Sequence, residues 1–174
     1  EYDRFQLEDG RTVVLEELKE QDLPEMMKVF NSVIEEDAYF PRNEGVPDLE
    51  TARQWHQDHV KAGLFYLATK VNSEFVGGAT IEPLGGKVSH VAWLGIYLKR
   101  QFRNIGIGTR LIKKLIQIAR EKGFEKIRLM VFASNLQALR LYEKLGFQEV
   151  GRIKHGIKFK DGNYTDEVIM LLDL

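Results

Sequence analysis

Two glycines, Gly106 and Gly108, stand where an apolar segment gives way to a run of helix-forming residues. Glycine has no Cβ atom, so backbone N–H groups beside it approach a ligand closely, and a helix start adds positive potential. The arrangement predicts a cradle for a phosphate or a similar anion. The same spacing is also typical of a tight turn before an amphipathic helix, and the glycines alone leave both interpretations open.

Two other nucleotide-binding motifs do not fit this segment. A dinucleotide fingerprint has a third glycine three residues after the second and an acidic residue about 20 positions later. Position 111 is leucine, and the later segment carries Lys126 and Arg128. A P-loop needs a Gly-Lys-Ser/Thr sequence, and none follows. The sequence therefore excludes both classes.

A second block with chemical potential follows about thirty residues later and reads Asn135-Leu136-Gln137-Ala138-Leu139-Arg140-Leu141-Tyr142-Glu143-Lys144-Leu145-Gly146-Phe147. With Arg103-Asn104-Ile105-Gly106-Ile107-Gly108, it resembles the GNAT N-acetyltransferase superfamily. The signature of that superfamily is Arg/Gln-x-x-Gly-x-Gly/Ala followed by Asn-x-x-Ala-x-x-Leu-Tyr-x-x-x-Gly-Phe. The resemblance covers roughly residues 64 to 150 and implies an α/β (α+β) GNAT fold.

The resemblance implies that acetyl-CoA binds as co-substrate between two splayed strands, the fourth and the fifth. Backbone groups of Ile96 and Leu98 would hold the pantetheine arm and the acetyl carbonyl, with Arg103 as a cation near the pyrophosphate. A plain helix N-cap explains Asn135 equally well. The implied cofactor residues are Ile96, Leu98, Arg103, Asn104, Ile105, Gly106, Ile107, Gly108, Thr109, Asn135, Ala138 and Tyr142.

The resemblance assigns the general acid to Tyr142. When an amine attacks the thioester directly in a ternary complex, the departing thiolate needs a proton. A phenol with an ordinary pKa near 10 can supply that proton to a thiolate whose acid has a pKa near 8.5. The alternative is a core tyrosine packed between Leu139 and Leu145.

The general base is less evident. Family members often carry Glu or His on the fourth strand, where this chain has Ala92 and Leu94. His90, on the same side of that strand, and Glu82 on the neighbouring strand are candidates that would act through water. Each of them is also explained as a structural or surface residue.

The acceptor would be a primary amine: a small amine, an amino acid analogue or a protein N-terminus. Residues 1–50 hold fifteen acidic and five basic side chains, whereas residues 99–128 hold ten basic and two acidic ones. The first helices border the acceptor site in GNAT folds, so we expect an acidic entrance and a cationic acceptor. The candidate substrate residues are Glu35, Asp37 and Tyr39.

Hydrophobic periodicity predicts the elements that position these residues. The segment Glu125 to Ala133 is predicted to lie parallel to the preceding strand because a helix connects them. Gly95 interrupts its strand, and a glycine inside a strand often marks a bulge or a close approach of a ligand. The prediction is about seven strands, mostly antiparallel, and about four helices: strands at 11–18, 64–71, 74–82, up to Leu98, 125–133, 148–159 and 164–172, and helices at 22–36 capped by Asp22, 48–60 capped by Asp48, 106–122 and 135–145.

Composition places limits on the whole chain. Its 174 residues, 44% hydrophobic, suit one domain over 1–174, and zero cysteines exclude disulfides and a cysteine acyl-enzyme. No 18-residue apolar run or signal-peptide pattern is present, so we expect a cytoplasmic protein without membrane or nucleic-acid partners. A homodimer is compatible with the sequence. His56 and His59 are three residues apart, but no carboxylate-histidine pattern accompanies them, so we expect no metal.

A second functional class stays open at this point. The missing strand carboxylate favours an acyl-CoA-binding regulatory or sensor domain without turnover, whereas Tyr142 and Asn135 favour the enzyme.

Overall fold

An eight-stranded mixed sheet separates two pairs of helices in the computed structural model, which describes residues 1–174. The strands are β1 (Asp3–Gln6), β2 (Thr12–Glu17), β3 (Phe65–Val71), β4 (Glu74–Pro83), β5 (Val91–Leu98), β6 (Lys126–Phe132), β7 (Gln148–Lys158) and β8 (Tyr164–Asp173). The helices are α1 (Leu23–Glu35), α2 (Leu49–Lys61), α3 (Ile107–Glu121) and α4 (Leu136–Lys144).

The strands follow the order β1-β2-β3-β4-β5-β6-β8-β7 across the sheet. Every neighbouring pair is antiparallel except β5 and β6, which α3 connects in parallel. The turn between β3 and β4 consists of Asn72 and Ser73, both with positive φ (45° and 71°). A two-residue turn with positive φ at both positions matches the right-handed twist of a hairpin. The predicted hairpin and the parallel crossover pair are therefore both present.

The parallel ladder between β5 and β6 is short. It joins only Val91, Ala92 and Trp93 to Lys126, Ile127 and Arg128. Beyond Trp93 the two strands separate, while β4 stays paired with β5 as far as Leu98 and β8 stays paired with β6. This divergence is the predicted splay, and it opens a cleft in the middle of the sheet.

Two hydrophobic cores fix the helices on opposite faces of the sheet. The larger core contains the buried stripe of α3, with Ile107, Leu111 and Leu115 completely shielded, and reaches Tyr142 of α4. The smaller core packs α1 and Ala52 of α2 against Tyr66 and Tyr97 of the sheet. Side chains alternate between faces along a strand, so Leu94, Ile96 and Leu98 face α3, whereas Trp93 and Tyr97 face α1.

Three sequence predictions need correction. The sheet has eight strands and not about seven. The sequence did not indicate β1, because its four residues, Asp-Arg-Phe-Gln, are too few and too polar to give a strand pattern. Gly95 does not form a bulge, because β4 and β5 keep an unbroken register, but it lines the cleft described below, as the alternative of a close ligand approach requires. The Asp22 carboxylate does not cap α1, because it accepts the Lys19 N–H at 3.0 Å.

None of the four helices combines the length and the apolar composition that a membrane span requires.

Candidate active site

The splay between β5 and β6 opens into a cleft with a volume of about 550 Å³. Strand β5 contributes the continuous run from Trp93 to Leu98, and β6 contributes Met130 and Val131. The first turns of α3 and α4 close one side, and the loop from Tyr39 to Arg42 closes the other. The cleft is thus bounded by segments that are far apart in the sequence.

One edge of β5 offers unpaired backbone groups to this cleft. The Val91 carbonyl accepts the Leu84 N–H, and the Lys99 N–H donates to the Val76 carbonyl. The backbone N–H and C=O groups of the odd-numbered residues of β5 therefore point towards β4. The backbone groups of Ile96 and Leu98 therefore point towards the splay, where β6 no longer pairs with them. One of these groups is occupied, because the Leu98 carbonyl accepts a bond from Arg103 Nε at 2.8 Å.

The second feature is a row of free amides between β5 and α3. None of the six backbone N–H groups from Asn104 to Thr109 has an acceptor within the protein. Asn104 and Gly106 have positive φ (65° and 88°), which bends the chain so that successive N–H groups converge before the helix begins. We call residues Asn104 to Thr109 the amide cradle. Together with the positive end of α3, it is suited to bind a phosphate.

The two glycines of the cradle do different things. Gly106 adopts the left-handed conformation that other residues rarely take. Gly108 has no such φ value, but a Cβ atom placed on it would lie 3.8 Å from Leu98 and 3.9 Å from Leu141, both of which line the cleft. A larger side chain at position 108 would therefore fill the space between β5 and α4.

Not every predicted cofactor residue lines the cleft. Ile107 is fully buried in the larger core and Ile105 is exposed, and neither residue is in the lining of the cleft. The other predicted residues are all in the lining: Ile96, Leu98, Arg103, Asn104, Gly106, Gly108, Thr109, Asn135, Ala138 and Tyr142.

Arg103 lines the cleft, but its guanidinium is already engaged. It forms a bidentate ion pair with Glu36 at 2.8 and 2.6 Å and lies over the Tyr39 ring at 4.6 Å. Burial disfavours the charged form, yet the hydrogen bonds that Arg103 donates to the Glu36 carboxylate outweigh burial and raise the pKa of Arg103. Arg103 therefore ties the end of α1 to β5, and the cation that the resemblance implies near the pyrophosphate is paired with a carboxylate in this structure.

Helix α4 brings Asn135, at its N-cap, and Tyr142, in its last turn, to the cleft. Asn135 caps the helix, since its Oδ1 accepts the Ala138 N–H at 3.3 Å. Tyr142 is 6% exposed and packs edge-on against Phe147. Its hydroxyl has no hydrogen-bond partner within the protein. Only one unpartnered side-chain polar atom is completely shielded from solvent, the Thr69 hydroxyl, so the Tyr142 hydroxyl is partly accessible. The phenol thus packs as a core residue while its hydroxyl stays open to the cleft.

Burial raises the pKa of Tyr142 well above its usual value. The phenol therefore stays protonated at every ordinary working pH, which is the state that a proton donor needs.

Neither predicted base lines the cleft. His90 lies on the exposed turn before β5. Glu82 points to the face of the sheet that α2 covers, where its carboxylate binds His59 Nδ1 at 2.7 Å. The lining of the cleft contains no carboxylate and no imidazole.

The face opposite the amide cradle carries aromatic residues that sequence reasoning did not identify. We call Phe40, Trp93 and Tyr97, together with the neighbouring Arg42, the aromatic wall, and all four residues line the cleft. Phe30 packs behind it, edge-on to Phe40 at 5.4 Å and to Tyr97 at 5.3 Å. The Tyr97 hydroxyl is hydrogen-bonded to the buried Tyr66 hydroxyl, and burial raises the pKa of both phenols.

The predicted substrate residues are only partly at this cleft. Tyr39 lines it beneath Arg103, but Glu35 is exposed outside it, and Asp37 accepts the Lys160 N–H at 2.9 Å. The only charged residues in the lining are Arg42 and Arg103. The prediction of an acidic entrance therefore does not match the charge of the cleft.

Comparisons with known proteins agree with this geometry. Residues 29–147 match the family model for the acetyltransferase (GNAT) family. YwnH of Bacillus subtilis, provisionally assigned as a phosphinothricin acetyltransferase, is 27% identical over 152 residues, 86% of this chain and 92% of its own length.

Two solved structures share the fold. The ribosomal-protein-alanine N-acetyltransferase of Brucella melitensis is 27% identical with a TM-score of 0.85, over 92% of this chain and 99% of its own. The yncA protein of Salmonella typhimurium, solved with its cofactor acetyl-CoA, is 20% identical with a TM-score of 0.85, over 93% of this chain and 94% of its own. With the family model covering most of its length, this chain belongs to the GNAT family of acetyltransferases.

Proposed function

We propose that the protein transfers the acetyl group of acetyl-CoA to a primary amine by direct attack in a ternary complex. The observation that carries the proposal is that one cleft is lined both by free amides of the cradle, those of Asn104, Gly106, Gly108 and Thr109, and by Tyr142 with its unpaired hydroxyl. The amides suit the pyrophosphate of a CoA thioester, and the hydroxyl suits the sulfur that departs from it.

The backbone of β5 would orient the rest of the thioester. The free groups of Ile96 and the N–H of Leu98 lie along the splay, where a pantetheine arm pairs with them as a further strand would. An N–H at this edge that faces the thioester oxygen stabilises the negative charge that develops there during attack. These donors are fixed by the sheet and need no rearrangement.

Tyr142 would supply the proton that balances the reaction. A C–N bond forms as the amine attacks the thioester carbon, the C–S bond breaks, and the sulfur takes the phenolic proton. Burial raises the pKa of Tyr142, and the same apolar surroundings raise the pKa of a thiol released beside it, so the transfer stays close to balanced. The phenol then regains a proton from solvent.

The proton of the attacking amine would leave to water. No carboxylate or imidazole lines the cleft, and the apolar lining disfavours a charged ammonium group. We therefore expect the amine to react in its neutral form, and turnover to rise with pH until the acceptor amine is deprotonated.

YwnH and the Brucella enzyme support an acceptor with an α-amino group. By their names, one acts on phosphinothricin, an amino acid analogue, and the other on a protein alanine. Both acceptors carry the amine next to a carboxyl-derived carbon. We therefore place α-amino acids and peptide N-termini first among the acceptors of this chain.

The same lack of a side-chain base favours a second candidate, a regulatory domain that binds acyl-CoA without turnover. An assay of thiol release from acetyl-CoA with a panel of amines separates the two. We expect amine-dependent thiol release with at least one α-amino compound. Tight acetyl-CoA binding without thiol release for any amine would reject the enzyme and favour the regulatory domain.

A further inference from the structure

Arg42 is the only charged group of the cleft lining that lacks a partner of opposite charge. The other lining cation, Arg103, is neutralised by its bidentate pair with Glu36. Arg42 forms no ion pair and no side-chain hydrogen bond, although residues 1–50 are rich in carboxylates. The aromatic wall therefore carries an uncompensated positive charge.

The surroundings of Arg42 hold its guanidinium at the rim of the cleft. The group lies over the Phe30 ring at 5.6 Å, and Phe30 contacts Phe40 and Tyr97. The side chain is exposed and donates no hydrogen bond within the protein, so the planar fork of N–H groups is available to a ligand. A planar fork of this kind is suited to bind a carboxylate with two parallel hydrogen bonds.

Arg42 belongs to a different ligand region from the amide cradle. The cradle lies beside α3 and α4, on the sheet face to which Leu98 points. Arg42 lies over Phe30, which packs on the smaller core, on the face to which Tyr97 points. A phosphate in the cradle and a carboxylate at Arg42 would therefore flank the point where the amine meets the thioester.

We propose that the aromatic wall binds free α-amino acids with apolar side chains, and that Arg42 binds their carboxylate. This inference rests on the proposed function and adds the acceptor class to it. Phe40, Trp93 and Tyr97 provide an apolar surface for the side chain of the acceptor. A peptide N-terminus has a neutral carbonyl at the position of the carboxylate and leaves the Arg42 charge unpaired, so it binds more weakly.

The test compares two ligands that differ in one charge. L-methionine carries the carboxylate, and L-methioninamide replaces it with a neutral amide of the same shape. Binding of each is measured by calorimetry at low ionic strength to protein saturated with CoA. We expect L-methionine to bind at least about tenfold more tightly than the amide, the scale of a hydrogen bond to a charged group.

Substitution of Arg42 should remove this preference. In Arg42→Gln we expect L-methionine affinity to fall about tenfold or more, with CoA and methioninamide affinities unchanged. Arg42→Lys keeps the charge without the planar fork and should be intermediate. Arg120→Gln, an exposed arginine near the end of α3, is the matched control and should behave as wild type.

Binding decides this inference, and turnover decides the proposed function. The inference is overturned if wild-type protein does not prefer the carboxylate, or if Arg42→Gln keeps that preference. A carboxylate preference that depends on Arg42, without thiol release, would uphold the subsite and reject the acetyl transfer. Thiol release that is equally fast with methionine and methioninamide, without a carboxylate preference in binding, would uphold the acetyl transfer and reject the carboxylate subsite.

Discussion

The two sides of the cleft are built in different ways. The amide cradle offers backbone groups from six consecutive residues, Asn104 to Thr109, held by turn conformations and by the start of α3. The aromatic wall offers side chains from two segments about fifty residues apart, Phe40 with Arg42 and Trp93 with Tyr97. The first construction binds a constant chemical group, a phosphate, whatever the side chains are. The second depends on side-chain identity, and it is therefore where acceptor choice can change without altering the cofactor site.

The largest expected effect comes from Tyr142→Phe, which removes one hydroxyl beside the cradle and keeps the ring that packs on Phe147. If the phenol protonates the leaving thiolate, kcat should fall by about 10²-fold or more. Acetyl-CoA affinity and Tm should change little, because the hydroxyl has no partner in the protein. Single-turnover rates at saturating acetyl-CoA, measured beside thermal unfolding, give the answer. A lower Tm with an undiminished rate would remove Tyr142 from the mechanism.

The pH dependence of the wild-type rate adds an independent check on Tyr142. Burial raises its pKa in the folded protein, so the protonated, donating form persists above pH 10, where an ordinary tyrosine ionises. We therefore expect no decline in kcat from loss of this proton up to about pH 10. A decline near pH 8 that disappears in Tyr142→Phe would contradict the effect of burial.

The next effect tests the connection between the two sides, the ion pair of Arg103 with Glu36. Both side chains are about one-fifth exposed, so Glu36→Gln should lower the free energy of unfolding by about 2 kcal/mol. Glu35→Gln is the matched control, because Glu35 is exposed and forms no ion pair. Urea unfolding of both variants measures the difference.

The CoA affinity of the same variants shows whether Arg103 only holds α1 against β5 or can also bind the pyrophosphate. If Arg103 only holds α1 against β5, Glu36→Gln should leave CoA binding unchanged or weaker. Tighter CoA binding in Glu36→Gln would mean that the released guanidinium reaches the pyrophosphate. That result would restore the role expected from the sequence.

A smaller effect is expected for Gly108→Val, which leaves the cradle amides in place but fills the space between Leu98 and Leu141. CoA should bind about tenfold more weakly, roughly 1.4 kcal/mol, while the fold tolerates the change because the Cβ atom makes only ordinary contacts. Gly123→Ala is a control at the other end of α3. It places alanine at a φ of 82° and should cost stability without affecting CoA. Unchanged CoA affinity in a folded Gly108→Val would place the phosphates elsewhere.

The contrast between the two sides also explains what the sequence could predict. The cradle and the α4 block each consist of contiguous residues with local signals, a glycine spacing and an N-cap. The sequence therefore predicts a site with Gly106, Gly108, Asn135 and Tyr142, and the structure brings these four to one cleft. The splay followed from the family resemblance, and the ladder confirms it. These features depend on chain geometry within a few residues.

Long-range pairings were not accessible from the sequence. The bond between Arg103 and Glu36 spans 67 residues, and nothing local indicates that Glu36 would neutralise it. Nothing in the local sequence distinguishes Arg42 from other loop residues, because its contact with Phe30 depends on how the first helix packs against the loop. The sequence alone makes Glu82 a candidate base, whereas the fold places its carboxylate against His59 and outside the cleft. In each case the missing information was which side chain lies opposite.

The smallest effect concerns Tyr66→Phe, behind the aromatic wall. The change deletes the hydroxyl bonded to Tyr97 and leaves the Tyr97 hydroxyl buried without its partner. We expect a loss of about 1 kcal/mol, or a Tm lower by about 2 to 4 °C. The double variant Tyr66→Phe with Tyr97→Phe removes both hydroxyls and should recover most of that loss, because no polar group then stays unpaired.

The turnover of Tyr66→Phe shows whether the aromatic wall only binds the acceptor or also takes part in proton transfer. If the aromatic wall contributes only shape and the Arg42 charge, kcat should stay within about twofold of wild type, well inside the 10²-fold scale of a lost proton donor. Both phenols have raised pKa values because they are buried, so neither is available as a base at neutral pH. A loss in kcat as large as that of Tyr142→Phe, at normal Tm, would mean that the wall supplies a reacting hydroxyl. The proton path would then cross the sheet through Tyr97 instead of ending at the cradle side.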